Sequence, residues 1–269
     1  MAATGEMKAA PRRAVAPAIG GGRVTARAVL ALRVAVALGV LAVWEGLSRS
    51  GLFYGEVVPS LVAIVKSLGK LLSDPVFYRN LQVTALETGA SLAIGSAAGV
   101  MTGIVLGANR FLMRAFEPYI YYLAPTPRII LFPVMIMWFG VGLASKIALG
   151  ALSAYFAVAL STAAGMRQID VILIRVGRSF RATPWQMATK IYLPAMRVPI
   201  LNGIRLGMGT AIITVLLAET KLSNQGLGYM IMQIYTRFDM PGLYAVLIVV
   251  FALAGLCNAV IGALARERA

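Results

Sequence analysis

The chain has 269 residues, 59% of them hydrophobic, and a mean hydropathy of +0.82. One soluble core of this length needs less apolar surface than that, so the composition points to an integral membrane protein. The 25 Lys and Arg against 10 Asp and Glu give a net charge of +15, but the basic residues cluster between apolar runs, which the positive-inside rule explains better than a nucleic-acid partner.

Residues 1–27 form a basic leader with Lys8, Arg12, Arg13, Arg23 and Arg27. It is too long for a usual signal peptide, lacks a small-residue cleavage site, and reads as an uncleaved cytoplasmic tail. Residues 28–265 are the membrane domain. Its first span runs from about Ala28 to Leu47, with Arg33 and Glu45 placed to snorkel. An apolar helix pattern over about 60–73, carrying Lys66 and Lys70, suits the outer interface better than a crossing. The second span, about Leu81 to Gly107, holds Gly95, Gly99, Gly103 and Gly107 at four-residue spacing, a smooth strip that lets another backbone approach. The strip reads either as a seam that slides during transport or as static helix packing, and the second is the more general use of such strips in membranes. The third span, about Tyr119 to Trp138, is interrupted by Pro125, Pro127 and Pro133. Its freed backbone groups need neighbours or water, and broken helices often line a path.

A fourth span, about Lys146 to Met166, leads into an arginine-rich segment, Asp170 to Pro194, read as two short helices joined by a turn. Asp170 is the N-cap of the first, with Ile172, Val176 and Phe180 along one side and Arg175, Arg178 and Arg181 along another. Thr183 caps the second, Pro184 suits its first position, Gln186 completes a capping box, and Pro194 is expected to stop it after about two turns. The fifth span, about Ile200 to Ala218, carries Gly203, Gly207 and Gly209. An outer loop with Gly226-Leu227-Gly228 precedes the sixth, about Leu243 to Leu264, and residues 266–269 form a cytoplasmic C-terminus. With both ends inside, Arg110, Arg114, Arg167, Lys190 and Arg197 join the leader and the hairpin on the inner side, and the outer segments hold far fewer basic residues.

Sites of covalent chemistry are scarce. The chain has no His and one cysteine, Cys257, which excludes an intrachain disulfide and a His- or Cys-rich metal site. Gly69-Lys70 is not a phosphate loop, because Leu71 stands where Ser or Thr is needed and Ile64 where the first glycine belongs. No paired carboxylates occur at a helical spacing, so an enzyme has little to work with. Three ionisable residues in or near the spans are pathway candidates, because a charge inside a bilayer costs about 3 kcal/mol or more and tends to face a cavity or a partner. Arg128 sits in the proline-broken span and either faces the path or pairs with Glu87 or Glu219. Glu219 closes the fifth span, where gating or packing near the outer face is expected, and Glu87 is read as structural.

The hairpin resembles the cytoplasmic coupling loop of permease subunits in type I ABC importers, which reads Glu-Ala-Ala, three residues, Gly, nine residues, Ile, any residue, Leu-Pro. Ile191, Leu193 and Pro194 match its end, whereas Arg175-Val176-Gly177 replaces Glu-Ala-Ala and Arg181 replaces the glycine. Pro125-Thr126-Pro127, Trp138-Phe139-Gly140-Val141-Gly142, Ser145-Lys146, Gly203-Ile204-Arg205-Leu206, Ala218-Glu219 and Gly226-Leu227-Gly228-Tyr229 extend the likeness over roughly residues 30 to 265, to the nitrate, sulfonate, taurine and bicarbonate branch. The resemblance implies an all-α integral membrane protein of six transmembrane helices with a MetI-like permease fold. It also implies a second permease copy, two ATPase subunits that hold the ATP and Mg, a substrate-binding protein, and no cofactor on this chain. Arg175, Val176, Phe180, Arg181, Trp185, Met187, Ile191, Leu193 and Pro194 are then the ATPase-coupling residues. The alternative from the residues alone is a stand-alone secondary transporter or channel using Glu87, Arg128 and Glu219.

Overall fold

The computed structural model describes residues 26–52 and 57–266, and these residues form helices joined by short turns and loops, with no strand among them. The leader read as a cytoplasmic tail lies outside the described residues, apart from its last two, as do the last three residues of the C-terminal segment. Helix α1 (Ala26–Arg49) is exposed along nearly its whole length and, among the described residues, is held near its end. There Trp44 Nε1 donates to the Pro59 carbonyl at 3.1 Å, Leu61 N donates to the Glu45 carboxylate at 3.0 Å, and the Trp44 ring meets Tyr244 edge-on at 5.1 Å. Helix α2 (Leu61–Leu72) is capped by Ser60, whose side chain accepts from Ala63 N at 3.3 Å.

Helix α3 (Pro75–Ala108) begins at Pro75 rather than near Leu81, because Asp74 caps it, accepting from Val76 N at 2.8 Å, and Pro75 occupies its first position. The third span is broken as its prolines require. Helix α4 (Arg110–Leu123) and helix α5 (Phe132–Phe139), preceded by a 3₁₀ turn over Arg128–Leu131, meet at a bend of 92° across Pro125-Thr126-Pro127. Helix α6 (Leu143–Arg167) follows, then the hairpin, then α10 (Arg197–Lys221), α11 (Leu227–Thr236) and α12 (Met240–Arg266). Helices α1, α3, α6, α10 and α12 are each long and apolar enough to cross a membrane, and the bent α4–α5 pair makes a sixth crossing.

The bundle is organised on α3 and α6, which share its most extensive contact, with α10 packed on α6 next. Gly95 backs onto Ala154, Gly99 onto Val158, Gly103 onto Thr162 and Gly107 onto Met166. Both sets of numbers rise together at one constant offset, so the two helices run parallel, and the chain between them has to recross the membrane. The α4–α5 pair performs that crossing. A Cβ on Gly99 would lie 2.8 Å from Val158 Cβ and 2.9 Å from the Tyr155 carbonyl, closer than packed atoms stand, so α3 and α6 approach closely along the strip. Large apolar side chains such as Met101, Leu206, Ile213 and Phe251 point outward and suit lipid or another subunit.

Pro194 does not stop the second hairpin helix. The chain stays helical through α8 (Pro184–Gln186), a π turn (Met187–Tyr192) and α9 (Leu193–Ala195), and after Met196 it continues as α10. In an α-helix the Pro194 ring would strike the Lys190 carbonyl and remove a hydrogen bond; the wider π turn, in which Leu193 N reaches the Ala188 carbonyl, makes room for it.

Candidate functional site

Two places carry the polar chemistry of the chain: the hairpin at one end of the bundle, and a buried side-chain network at the other, near α2. In the hairpin, Asp170 caps α7 (Val171–Ser179), its carboxylate accepting from Ile172 N at 2.8 Å. The turn after α7 is a Schellman motif, with Ala182 N donating to the Gly177 carbonyl at 3.0 Å and Arg181 N to that of Arg178 at 2.9 Å. Arg181 therefore takes φ +52°, a left-handed conformation costing an ordinary side chain about 1 kcal/mol, so the strain at the position of the family glycine is accepted rather than avoided. The capping box is complete: Gln186 N donates to Thr183 Oγ1 at 3.3 Å and Thr183 N to Gln186 Oε1 at 2.9 Å.

The hairpin has an interior of its own. Gly177 is buried, and a Cβ there would lie 2.6 Å from Met187 Sδ and run into the Ile191 side chain. Met187 is only 6% exposed, so Met187 and half-buried Ile191 hold the two helices together instead of presenting a docking face. The outward residues are Arg175, Val176, Phe180, Arg181, Trp185 and Pro194, with Leu193 half-buried. Phe180 is 82% and Trp185 77% exposed. A cluster of Met166, Ile169 and Met196, with Ile174 and Tyr192 against it, fixes the hairpin to the end of α6. Gly177 is the residue whose role spacing did not reveal; its one sequence signal is a glycine inside an otherwise good helix.

At the opposite end, three consecutive backbone N–H groups at the start of α11 are taken by side chains from other helices. Gly226 N donates to Asn80 Oδ1 at 2.8 Å, Leu227 N to Thr84 Oγ1 at 2.8 Å and Gly228 N to the Glu219 carboxylate at 2.7 Å. Thr84 donates its own proton to the other Glu219 oxygen at 2.7 Å. A carboxylate at a helix start is also favoured by the helix dipole. Gly226, at φ +107°, and Gly228 are needed because a Cβ on either would enter the Glu219 side chain. Glu87, buried beside this cluster, forms an ion pair with Lys146 of α6, and Lys146 Nζ also donates to Ser223 Oγ at 2.9 Å. Glu219 thus ties α3 and the start of α11 to the end of α10. Asn80, Thr84 and Lys146 complete the set, though only Lys146, beside Ser145 at a span edge, stood out in sequence.

Arg128 joins neither glutamate, which rules out the ion pair weighed from sequence. Glu87 is taken by Lys146 and Glu219 by Thr84 and Gly228. Arg128 lies at the α4–α5 break, donates to the Ala124 carbonyl, and places its guanidinium 5.1 Å from the centre of the Phe156 ring, while its Nε is buried without a hydrogen-bond partner among the described residues. The cation–π contact offsets part of the cost of placing the charge there. The three ionisable candidates therefore separate into one structural network and one isolated cation.

Residues 95–267 match the family model of the binding-protein-dependent transport system inner membrane component. The chain is similar to an aliphatic sulfonates transport permease protein of Bacillus subtilis, 32% identical over 216 residues that cover 80% of this chain and 78% of the relative. It is also similar to the taurine transport system permease protein of Escherichia coli, 28% identical over 202 residues that cover 74% of this chain and 73% of the relative. In fold it is similar to a chain of the MetNI methionine ABC transporter in an inward-facing conformation, with a TM-score of 0.66 at 22% identity, covering 72% of this chain and 96% of that one.

Proposed function

Because the chain belongs to the family of binding-protein-dependent transport system inner membrane components, we propose that it forms, with a second copy, the permease core of an ATP-driven importer that moves a small anionic solute by alternating access. It is a multi-pass inner-membrane permease of the sulfonate and taurine type. In this reading the α2 end faces outward and receives solute from a binding protein. The hairpin end and both termini face the cytoplasm, where two ATPase subunits bind ATP and Mg and act on the hairpins.

The observation that carries the coupling role is the exposure of Phe180 and Trp185 on a hairpin whose ends are capped and whose interior is filled. Large aromatics on a stiff polar element favour a protein groove, where such residues dominate affinity. The anionic solute rests on Arg128, a cation at a broken span whose Nε lacks a protein partner, and on the sulfonate and taurine relatives. A stand-alone carrier loses its support, since Glu87 and Glu219 are committed to their own partners and stand apart from Arg128.

The test is uptake of labelled taurine and alkanesulfonates into liposomes holding the permease with its ATPase and binding protein. ATP-dependent uptake is expected for at least one of them. Arg128→Gln lowers that uptake while leaving assembly and basal ATP hydrolysis in place, and Arg128→Lys keeps part of it because the charge remains. Normal uptake by Arg128→Gln would overturn the role of this residue and with it the anionic reading.

A further inference from the structure

At the hairpin end, a cavity of about 710 Å³ opens between the start of α4, the end of α6 and α7. Arg110 and Arg114, one helical turn apart on α4, and Arg178 on α7 line it, and all three are exposed and make no ion pair among the described residues. The acidic side chain on the wall, Glu117, is already paired with Arg167 at 3.1 Å. The pocket therefore keeps a surplus of three positive charges. Its remaining wall is apolar, formed by Met113, Met166 and Ile174 among others, and it lies where α3 and α6 both end. Three guanidiniums over an apolar wall at the end of membrane-crossing helices match an acidic headgroup and the acyl chains beneath it.

We propose that this pocket binds the phosphodiester headgroup of an anionic inner-leaflet phospholipid, packed between α4 and the first hairpin helix. Arg178 joins the coupling element to the lipid, so occupancy braces the hairpin against the bundle. The leaflet rests on the reading that the hairpin end is cytoplasmic; the headgroup chemistry does not. A soluble phosphate would satisfy the arginines but leave the apolar wall wet, and an acidic ATPase surface would have to reach a recess beside the membrane.

The experiment uses the permease assembled with its ATPase, in nanodiscs of phosphatidylcholine with graded phosphatidylglycerol, and measures co-retained lipid by native mass spectrometry after transfer to detergent. The assembly is expected to retain phosphatidylglycerol selectively. Changing Arg110, Arg114 and Arg178 together to Gln should reduce that selectivity by about fivefold per arginine, while the matching Lys variants keep most of it. Exposed Lys190→Gln with Arg197→Gln, at the same end, is the control. Four results would each overturn the proposal: unchanged retention in the Gln variant, equal loss in the control, release of the lipid by inorganic phosphate, or loss of the ATPase with lipid retention intact. If cysteine labelling places Arg178 outside, the orientation fails and lipid retention remains an independent result.

Discussion

Glu87 and Lys146 form the first rung of the ladder that the glycines of α3 continue against α6. The pair stands at the same offset as Ser91 against Gly150, Gly95 against Ala154 and each glycine beyond. One end of a parallel helix pair is therefore fixed by charge and the rest by close approach.

Removing half of that pair should be costly. Both side chains are buried, so Lys146→Ala leaves a carboxylate without its counter-ion and is expected to destabilise by about 3–5 kcal/mol. Replacing both, Glu87→Gln with Lys146→Met, should recover much of this. Thermal unfolding of the detergent-purified protein checks it; a double variant no better than Lys146→Ala would mean that the rung does not act as a pair.

The glycine strip predicts a contrast within α3. Gly99→Ala puts a Cβ 2.8 Å from Val158 Cβ and should cost about 1–3 kcal/mol, because the helices must part. Gly89→Ala meets nothing within 4 Å and should gain up to about 1 kcal/mol from helix propensity. Melting temperatures that move in opposite directions support the fitted seam, and equal shifts speak against it.

The six crossings were legible in the sequence because hydropathy over a span reports burial in lipid directly, and the caps at Asp170 and Thr183 because capping is a local signal. The partnership of Glu87 with Lys146, and the grip of Asn80, Thr84 and Glu219 on the α11 turn, join residues far apart in the chain, which one sequence does not place together. Met187, given a docking role by the resemblance, faces inward for another reason: Gly177 on the opposite helix has no Cβ, and the Met187 sulfur fills that space, a contact between two helices that neither one's periodicity displays.

The hairpin residues should divide accordingly. Phe180→Ala and Trp185→Ala are expected to weaken ATPase association by about 2 kcal/mol or more without lowering permease stability. Met187→Ala, by contrast, should destabilise the hairpin itself, by about 2 kcal/mol or more. Pull-down of the ATPase, run beside proteolysis of the hairpin, separates the two; full association and coupled transport in both aromatic variants would remove the docking role.

Orientation is open to chemical labelling. In a Cys257→Ala background, Lys66→Cys on α2 should react with an impermeant maleimide from outside intact cells, and Arg178→Cys should not. The converse pattern would invert the whole arrangement.

The constant offset between α3 and α6 also bears on how force travels. Helices that touch through backbone and small side chains slide and bend very little against each other, so the pair behaves as a single stiff beam. The hairpin grips one end of that beam through Ile169 and Met196, and the Glu87–Lys146 pair fastens the other to the loop before α11. A displacement of the hairpin where Ile169 and Met196 hold it would then be carried by the α3–α6 pair as a body toward Ser223.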